Sequence, residues 1–210
     1  MVCEPGGEAI AVRGGHRRFA ELRLDAATVG FAMNAGMFDE AGRPIGLMIE
    51  DGHQVHALNT RDGGGNFHLK PNGVFLVRKN GRAEVVASEP YKPAPDIAFA
   101  TQSGPMLLID GKPNAHFDAD GDSRYVRNGV GIDAAGKPHF VISLDVVSFG
   151  KLARFFAKRT HAVNALYFDG SVSSLWDPAN ARQDNFTELG PMVVVSRAGS
   201  KPDRAGRATP

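Results

Sequence analysis

Five short clusters of polar side chains and glycine are the parts of this sequence that could do chemistry. Each cluster joins Asn, Gln, Arg, Asp or Ser to a glycine and stands beside a short apolar run. Glycine lets a ligand approach the main chain closely, and binding residues concentrate on loops held by a rigid scaffold. A tight turn explains any one cluster, but five of them favour a polar pocket built from several loops. They are NAGMF at 34–38, KPNGVF at 70–75, TQSGP at 101–105, RNGVG at 127–131 and NALYFDGSVSS at 164–174.

Sequence patterns of nucleotide, metal and esterase sites are missing or incomplete. The chain has no G-x-x-x-x-G-K-[ST] string, no strand-linked G-x-G-x-x-G string and no G-x-S-x-G string. Residues 118–122 begin like a calcium-binding loop, but Ser123 and Gly129 stand where that loop needs glycine and glutamate. His53 and His56 lack the glutamate and the helix of a zinc protease site. The sequence therefore indicates no cofactor and no metal.

Length and composition are those of one globular domain. The chain has 210 residues, of which 42% are hydrophobic and 22% are charged. Its 25 glycines and 13 prolines favour many turns and short strands over a helical bundle. The net charge of +1 gives no general attraction to nucleic acid or acidic membranes. Since no apolar run approaches the roughly 20 residues of a membrane span, we expect neither a nucleic-acid partner nor a span.

Short apolar runs bounded by turn residues predict the strands that must position the clusters. These runs lie at 45–49, 74–77, 83–87, 106–109, 140–142, 166–168 and 192–195. Asn-Gly at 80–81 and Asp-Gly at 110–111 predict hairpins with primed turns. Helical periodicity predicts one helix over 149–161 and, more weakly, a second around 17–22.

We therefore predict an α+β fold, a single β-rich layered domain with a mixed sheet and one or two flanking helices. The domain spans residues 1–197. Residues 198–210 contain no large apolar side chain, so we expect a disordered tail there.

In this order, the five clusters resemble the signatures of the phosphodiester glycosidase family, to which the uncovering enzyme belongs. The shared strings are N-A-G-M-F, L-K-P-N-G-V-F, Q-S-G-P, R-N-G-V-G and N-A-L-x-x-D-G, and they lie within residues 31–195. Each string is weak alone, but the ordered set is specific. The resemblance is closer to a compact bacterial branch of the family whose function is unknown.

The resemblance implies a hydrolase that cleaves a sugar-1-phosphodiester, such as an N-acetylglucosamine-1-phosphodiester, at the glycosidic bond. Sugar and phosphomonoester are released. Ordinary glycosidases use two carboxylates, one of which protonates a poor alkoxide leaving group. A phosphate monoester leaves far more easily, so the site needs less acid catalysis and more neutralisation of phosphate charge. The partner implied is a carbohydrate phosphodiester, and the oligomeric state is left open.

The resemblance also implies roles for individual residues. Asp169 is the candidate carboxylate that activates water or stabilises the oxocarbenium-like state, although it could instead only cap the turn at Gly170. Arg127 is the candidate phosphate clamp, because guanidinium binds phosphate with two parallel hydrogen bonds. Asp145 is a second candidate carboxylate that lies outside the shared strings. The predicted substrate-binding residues are Asn34, Gly36, Lys70, Asn72, Gln102, Gly104, Gly170, Ser173 and Ser174.

One departure from the family pattern keeps other functions open. Ser171 stands where the family often has a second glycine after Asp-Gly. This favours, as one alternative, a glycan-binding domain that has lost turnover. Another alternative is a metal-dependent phosphodiesterase that cuts the P–O bond instead of the sugar C–O bond.

Cys3, the single cysteine, leaves two cellular locations open. It is either a free thiol of a cytoplasmic protein or a residue whose disulfide partner lay upstream in an exported protein. Only Met1 and Val2 precede it, so we expect no signal peptide in this sequence. Export is common in the family, which favours a periplasmic or secreted protein.

Overall fold

Sixteen strands form three antiparallel sheets in the computed structural model, which describes residues 1–6 and 9–197. The first sheet has the order β1 (Val2–Cys3), β12 (Pro138–Ile142), β11 (Asn128–Asp133), β13 (Ala162–Tyr167), β9 (Met106–Ile109) and β10 (Lys112–Pro113). The second has the order β15 (Arg182–Gln183), β14 (Leu175–Asp177), β3 (Val29–Asn34), β16 (Met192–Ser196) and β2 (Ala9–Arg13). The third has the order β5 (His53–His56), β4 (Met48–Glu50), β8 (Ile97–Ser103), β6 (Gly73–Arg78) and β7 (Ala83–Ala87). The tail predicted at 198–210 lies outside the described residues.

The β-rich layered fold is confirmed, but the predicted mixed sheet is wrong. Every strand pairing within the described part of the chain is antiparallel. Because α1 connects β12 to β13, these two strands run in the same direction. However, β11 lies between them and pairs with both, so the two never form a parallel ladder.

One α-helix is found among the described residues, where one or two were predicted. α1 (Phe149–Arg159) begins at Ser148, whose hydroxyl accepts a hydrogen bond from the Lys151 amide at 3.1 Å. Its buried face packs Leu152 and Phe156 against the first sheet. The segment predicted as a second helix forms a single 3₁₀ turn, Phe19–Leu22. None of the described helices is long and apolar enough to cross a membrane.

The predicted strands and hairpins are found at the expected places. Each of the seven apolar runs overlaps a strand. Asp110 and Gly111 both have positive φ, 49° and 76°, as a primed turn requires. The hairpin between β6 and β7 also forms, but only Gly81 has a positive φ there. The primed turn predicted at 80–81 is therefore wrong, although the strand pairing is right.

Aromatic side chains from all three sheets meet in the main core. The Phe140 ring lies 5.4 Å from the Phe31 ring and 5.6 Å from the Phe75 ring, edge to face in both pairs. All three rings are buried. Each comes from a different sheet, so this contact holds the sheets together and orients their ends. Truncating such a ring to alanine costs roughly 3–5 kcal/mol in a protein core.

Candidate active site

Asp169 lies two residues after the end of β13, and hydrogen bonds fix its main chain to the end of β3. Its amide donates to the Ala35 carbonyl oxygen at 3.0 Å. Its own carbonyl oxygen accepts from Nδ2 of Asn34 at 2.7 Å. The structure thus brings the fifth cluster, which contains the predicted carboxylate, into contact with the first cluster. The two clusters follow strands of different sheets.

Asn34 is the centre of this network. Its Oδ1 accepts from Nδ2 of Asn128 at 2.9 Å and from the Ser174 amide at 2.8 Å. The Ser173 hydroxyl lies within 3.3 Å of Oδ1 of Asn128 and also reaches two main-chain carbonyl oxygens. These polar atoms therefore bind the protein itself and position the loop of Asp169. The direct substrate contacts predicted for Asn34, Ser173 and Ser174 stay predictions.

The Asp169 carboxylate has an unusual environment. Its side chain is half-buried, and this burial raises its pKa above the ordinary aspartate value. The Ser171 hydroxyl donates to Oδ1 at 2.6 Å and opposes the increase in pKa. The residue that departs from the family pattern is thus a direct partner of the candidate carboxylate.

Arg127 is completely buried, with its guanidinium held by the protein on several sides. Nε donates to the Val147 carbonyl oxygen at 2.9 Å, and Nη2 contacts the carbonyl oxygen and hydroxyl of Ser123 at 3.0 and 3.1 Å. The guanidinium carbon lies 3.7 Å from the centroid of the Phe149 ring. Burial lowers the Arg127 pKa, yet arginine stays charged in proteins. In the described part of the chain no carboxylate pairs with this charge.

Tyr167 links Arg127 to the turn after Asp169. Its hydroxyl accepts from Nη1 of Arg127 at 3.1 Å, and burial raises its pKa while Arg127 opposes that rise. A Cβ at position 170 would lie 1.9 Å from this hydroxyl. Gly170 is therefore required for the close approach of Tyr167, and its predicted contact with substrate stays a prediction.

An open cleft of about 590 Å³ lies beside the loop that follows the first cluster, and Asp169 itself does not line it. The chain leads into it directly, because Ala35 binds Asp169 and the loop a few residues later lines the cleft. Its lining consists of Asp39, Arg43, Pro44, Ile45, His56, Asn59, Arg61, Asp62 and His68.

The cleft contains basic groups with different degrees of pairing. Arg43 forms an ion pair with Asp39 at 2.8 Å. Arg61 contacts Oδ1 of Asn59 at 3.3 Å and pairs with no carboxylate in residues 1–6 and 9–197. His56 and His68 each direct Nδ1 to a main-chain carbonyl oxygen, at 3.0 and 2.9 Å. Donation from Nδ1 leaves Nε2 of each ring as an acceptor. The lining thus combines two arginines with two aspartates, Asp39 and Asp62.

Gln102 supports a wall of the cleft. Its Oε1 accepts from the Leu47 and Asn59 amides, both at 2.9 Å. Its Nε2 donates to the Asn59 carbonyl oxygen at 2.6 Å and to the Ser88 hydroxyl at 3.0 Å. With all four hydrogen-bonding positions used, Gln102 holds Asn59 in place. Its predicted contact with substrate stays a prediction.

The remaining predicted binding residues also hold the main chain around the cleft. Nδ2 of Asn72 donates to the Phe67 carbonyl oxygen at 3.0 Å, and a Cβ on Gly104 would lie 2.7 Å from Cβ of Asn72. Lys70 donates to the Thr60 carbonyl oxygen at 2.6 Å. A Cβ on Gly36 would lie 2.2 Å from Oγ1 of Thr101, so glycine lets the first cluster pack on β8.

The predicted residues thus fall into two groups around one end of the fold. Asn34, Arg127, Asp169, Gly170, Ser173 and Ser174 form the network under the carboxylate. Lys70, Asn72, Gln102 and Gly104 support the cleft, and Gly36 packs between the groups. Asp145 is exposed and lines a different groove, beside α1, which contains no other predicted site residue. The structure gives it no part in this site.

Sequence reasoning missed four residues of the site. Asn128 and Tyr167 lie inside the matched strings, so their position beside Arg127 and Asp169 was an available signal. Asn59 and Arg61 lie outside every string, in a loop before a run of glycines, and no local signal marks them. Among the described residues, no three His, Cys, Asp or Glu side chains form a group that could hold a metal ion.

Comparison with known sequences finds one family. Residues 27–196 match the family model described as phosphodiester glycosidase. The chain is 36% identical over 171 residues to the uncharacterized protein YigE of Escherichia coli strain K12. That match covers 81% of this chain and 67% of YigE.

Solved structures with the same fold are found at low sequence identity. The catalytic domain of zebrafish N-acetylglucosamine-1-phosphodiester alpha-N-acetylglucosaminidase, auto-inhibited by its pro-peptide, matches with a TM-score of 0.64 and 17% identity. The match covers 90% of this chain and 73% of the zebrafish chain. A hypothetical protein from Synechocystis matches with a TM-score of 0.58 and 13% identity, over 91% of this chain and 57% of that one. These likenesses establish the fold.

Proposed function

We propose, since this chain belongs to the phosphodiester glycosidase family, that it hydrolyses a sugar-1-phosphodiester at the bond between the anomeric carbon and the phosphate oxygen. The substrate class is an N-acetylglucosamine-1-phosphodiester, on which the zebrafish relative acts according to its name. The observation that carries the proposal is the half-buried carboxylate of Asp169, on a loop that the side chain of Asn34 holds in place.

Asp169 acts on the water in this proposal. As the C–O bond to phosphate breaks, its electron pair leaves with the phosphate oxygen, and the water oxygen bonds to the anomeric carbon. Asp169 takes a proton from this water, and the products are a free sugar and a phosphomonoester. Burial raises the pKa of Asp169, which makes its carboxylate a stronger base than an exposed aspartate.

Two arginines supply positive charge in different ways. Arg61 lines the cleft, and none of the described carboxylates pairs with it, so we assign it the contact with the phosphate. Arg127 is completely buried and bound to Tyr167, Ser123 and Val147. In this proposal it acts as a fixed positive charge under the site, and its role as phosphate clamp stays a prediction.

Binding without turnover is the second candidate function. The Ser171 hydroxyl donates to Oδ1 of Asp169, so one oxygen of the candidate base is already engaged. A glycan-binding domain would keep the cleft and the network while this hydrogen bond holds the carboxylate away from water.

The test uses a defined N-acetylglucosamine-1-phosphodiester with products followed by mass. Wild type is compared with Asp169→Asn, Arg61→Gln and the control Asp110→Asn, an exposed turn residue. Free sugar and phosphomonoester from wild type and the control, but not from Asp169→Asn, support the proposal. We expect Arg61→Gln mainly to raise KM.

Other products identify the alternatives. If the product is sugar phosphate and its release stops when a metal chelator is added, the enzyme is a phosphodiesterase. Saturable binding without cleavage, by both wild type and Asp169→Asn, indicates the glycan-binding function.

We also propose that the protein acts in the periplasm or outside the cell, as its family resemblance favours. Fractionation of the source cells with an antibody against this chain tests the location. Recovery in the cytoplasmic fraction alone would overturn it and favour the free-thiol interpretation of Cys3.

A further inference from the structure

A groove of about 570 Å³ runs between α1 and the segment that follows β12. Apolar side chains line it from both sides, Leu152 and Phe155 from the helix, Val141 from β12, and Leu144 and Val147 from the segment. Asp169 does not line this groove, although Val147, whose carbonyl oxygen accepts a hydrogen bond from Arg127, does.

The rim of the groove is strongly basic. Lys151, Arg154, Lys158 and Arg159 all line it, and α1 contains no acidic residue. Residues 151, 154, 155 and 158 follow the helical spacing that places side chains on one face. None of the four basic side chains pairs with a carboxylate within the described ranges 1–6 and 9–197. Asp145 is the one acidic residue of the lining, so the positive charge is largely uncompensated.

Exposed apolar side chains extend this face beyond the groove. Leu144 is 69% exposed and Val146 is 55% exposed. Leu144 also lines a neighbouring cleft, in which Phe186 is 70% exposed and Tyr125 is 57% exposed. Large apolar side chains that adjoin one another at a surface mark an interaction site.

We propose that this basic and apolar face, formed by Leu144, Val146 and the four basic side chains of α1, binds the surface of an anionic lipid bilayer. Exposed Leu and Val side chains enter the boundary between head groups and acyl chains, while Lys and Arg contact lipid phosphates. The whole chain has a net charge of only +1, so the attraction is local to this face.

The continuity of the apolar surface favours a bilayer over an acidic peptide. A peptide that filled the groove would leave Phe186 and Tyr125 of the neighbouring cleft exposed. A lipid surface is broad enough to cover the apolar side chains on both sides of Leu144. The neighbouring cleft is also lined by Gly170, Ser171 and Ser173, so a bound bilayer would lie beside the loop of Asp169. The variants used in the vesicle test alter none of the residues of the Asp169 network, so its outcome is separate from that of the hydrolysis test.

Vesicle flotation with the full chain tests the proposal. Vesicles of phosphatidylcholine alone are compared with vesicles that also contain phosphatidylglycerol, at low and high salt. Two variants alter the face, Lys151→Gln/Lys158→Gln and Leu144→Ser/Val146→Ser. The control Lys79→Gln/Lys92→Gln removes two exposed lysines outside this face. Thermal unfolding and circular dichroism of each variant confirm that all of them fold.

We expect wild type and the control to bind only the anionic vesicles, less tightly as salt increases. Since each basic residue near an anionic surface contributes about 1 kcal/mol, Lys151→Gln/Lys158→Gln should bind roughly 30-fold more weakly. Leu144→Ser/Val146→Ser should also reduce binding. The proposal would be overturned if the protein bound neutral vesicles equally well or bound no vesicles at all. It would also be overturned if the control reduced binding as much as the face variants do. Binding of poly-glutamate but not of vesicles would identify an acidic polypeptide as the partner instead.

Discussion

The side-chain amide of Asn34 donates a 2.7 Å hydrogen bond to the main-chain carbonyl oxygen of Asp169, 135 residues away in the chain. Asn34 ends β3 in the second sheet, and Asp169 follows β13 in the first. The candidate carboxylate therefore depends for its position on an amide from a different sheet. Any change that moves these sheet ends relative to each other should change the site.

Replacing Asn34 by alanine should destabilise the protein and misplace Asp169. The change leaves the Asp169 carbonyl, the Ser174 amide and Nδ2 of Asn128 each short of a partner. Since each unsatisfied buried group costs about 1–3 kcal/mol, we expect the unfolding free energy to fall by roughly 3 kcal/mol. Urea unfolding measures this. Asn80→Ala, at an exposed turn, is the control, and an equally small loss in both variants would contradict the role of Asn34.

Asp169→Asn should abolish hydrolysis yet make the folded protein more stable at neutral pH. Folding raises the pKa of Asp169 above its unfolded value. The ionised carboxylate therefore destabilises the fold, and this cost develops as pH rises through the folded pKa. We expect a higher Tm for Asp169→Asn at neutral pH and no difference below the unfolded pKa. A lower Tm at neutral pH would show that the carboxylate stabilises the fold instead.

Ser171→Gly should shift the pH dependence of hydrolysis. The Ser171 hydroxyl and amide lower the pKa of Asp169 against the effect of burial. Removing the hydroxyl raises that pKa, and the base must be deprotonated, so the acid limb of kcat/KM should move to higher pH. A pH–rate profile of wild type and Ser171→Gly measures the shift. Ser173→Gly is the control for a general loosening of the loop. An equal shift of the acid limb in both variants would count against a direct effect of Ser171.

Arg127 and Tyr167 should be energetically coupled. Tyr167→Phe removes the acceptor of the Arg127 hydrogen bond, and we expect a loss of about 1–3 kcal/mol in unfolding free energy. Arg127→Lys cannot keep both this contact and the stacking on Phe149. A double-mutant cycle by urea unfolding should show a coupling of about 1 kcal/mol. Strictly additive losses would mean that the two side chains act independently.

Cys3 should react slowly with alkylating reagents in the folded protein. Burial raises the pKa of its thiol to about 11, and the thiolate is the reactive form. We expect iodoacetamide to label the native protein far more slowly than the urea-unfolded protein at neutral pH, as measured by intact mass. Comparable rates would show that β1 opens readily from β12.

Local sequence was sufficient for seven of the sixteen strands and for the helix. The run at 74–77 lies within β6, and the periodic segment from 149 became α1. Both are local signals, because turn residues and the spacing of apolar side chains report where a strand or helix is buried. The ordered strings also predicted the family, and the match of residues 27–196 to the family model confirms it.

Tertiary structure decided the direction of the strands and what each polar side chain does. Gln102 and Asn34 have the residue types of ligand-binding groups, yet their hydrogen bonds go to the protein. Arg127 has the type of a phosphate clamp, yet it is buried against Phe149 and Tyr167. The physical reason is that these partners lie far apart in the chain. A local pattern reports whether a side chain is polar, but only the packing of the sheets determines which donor meets which acceptor.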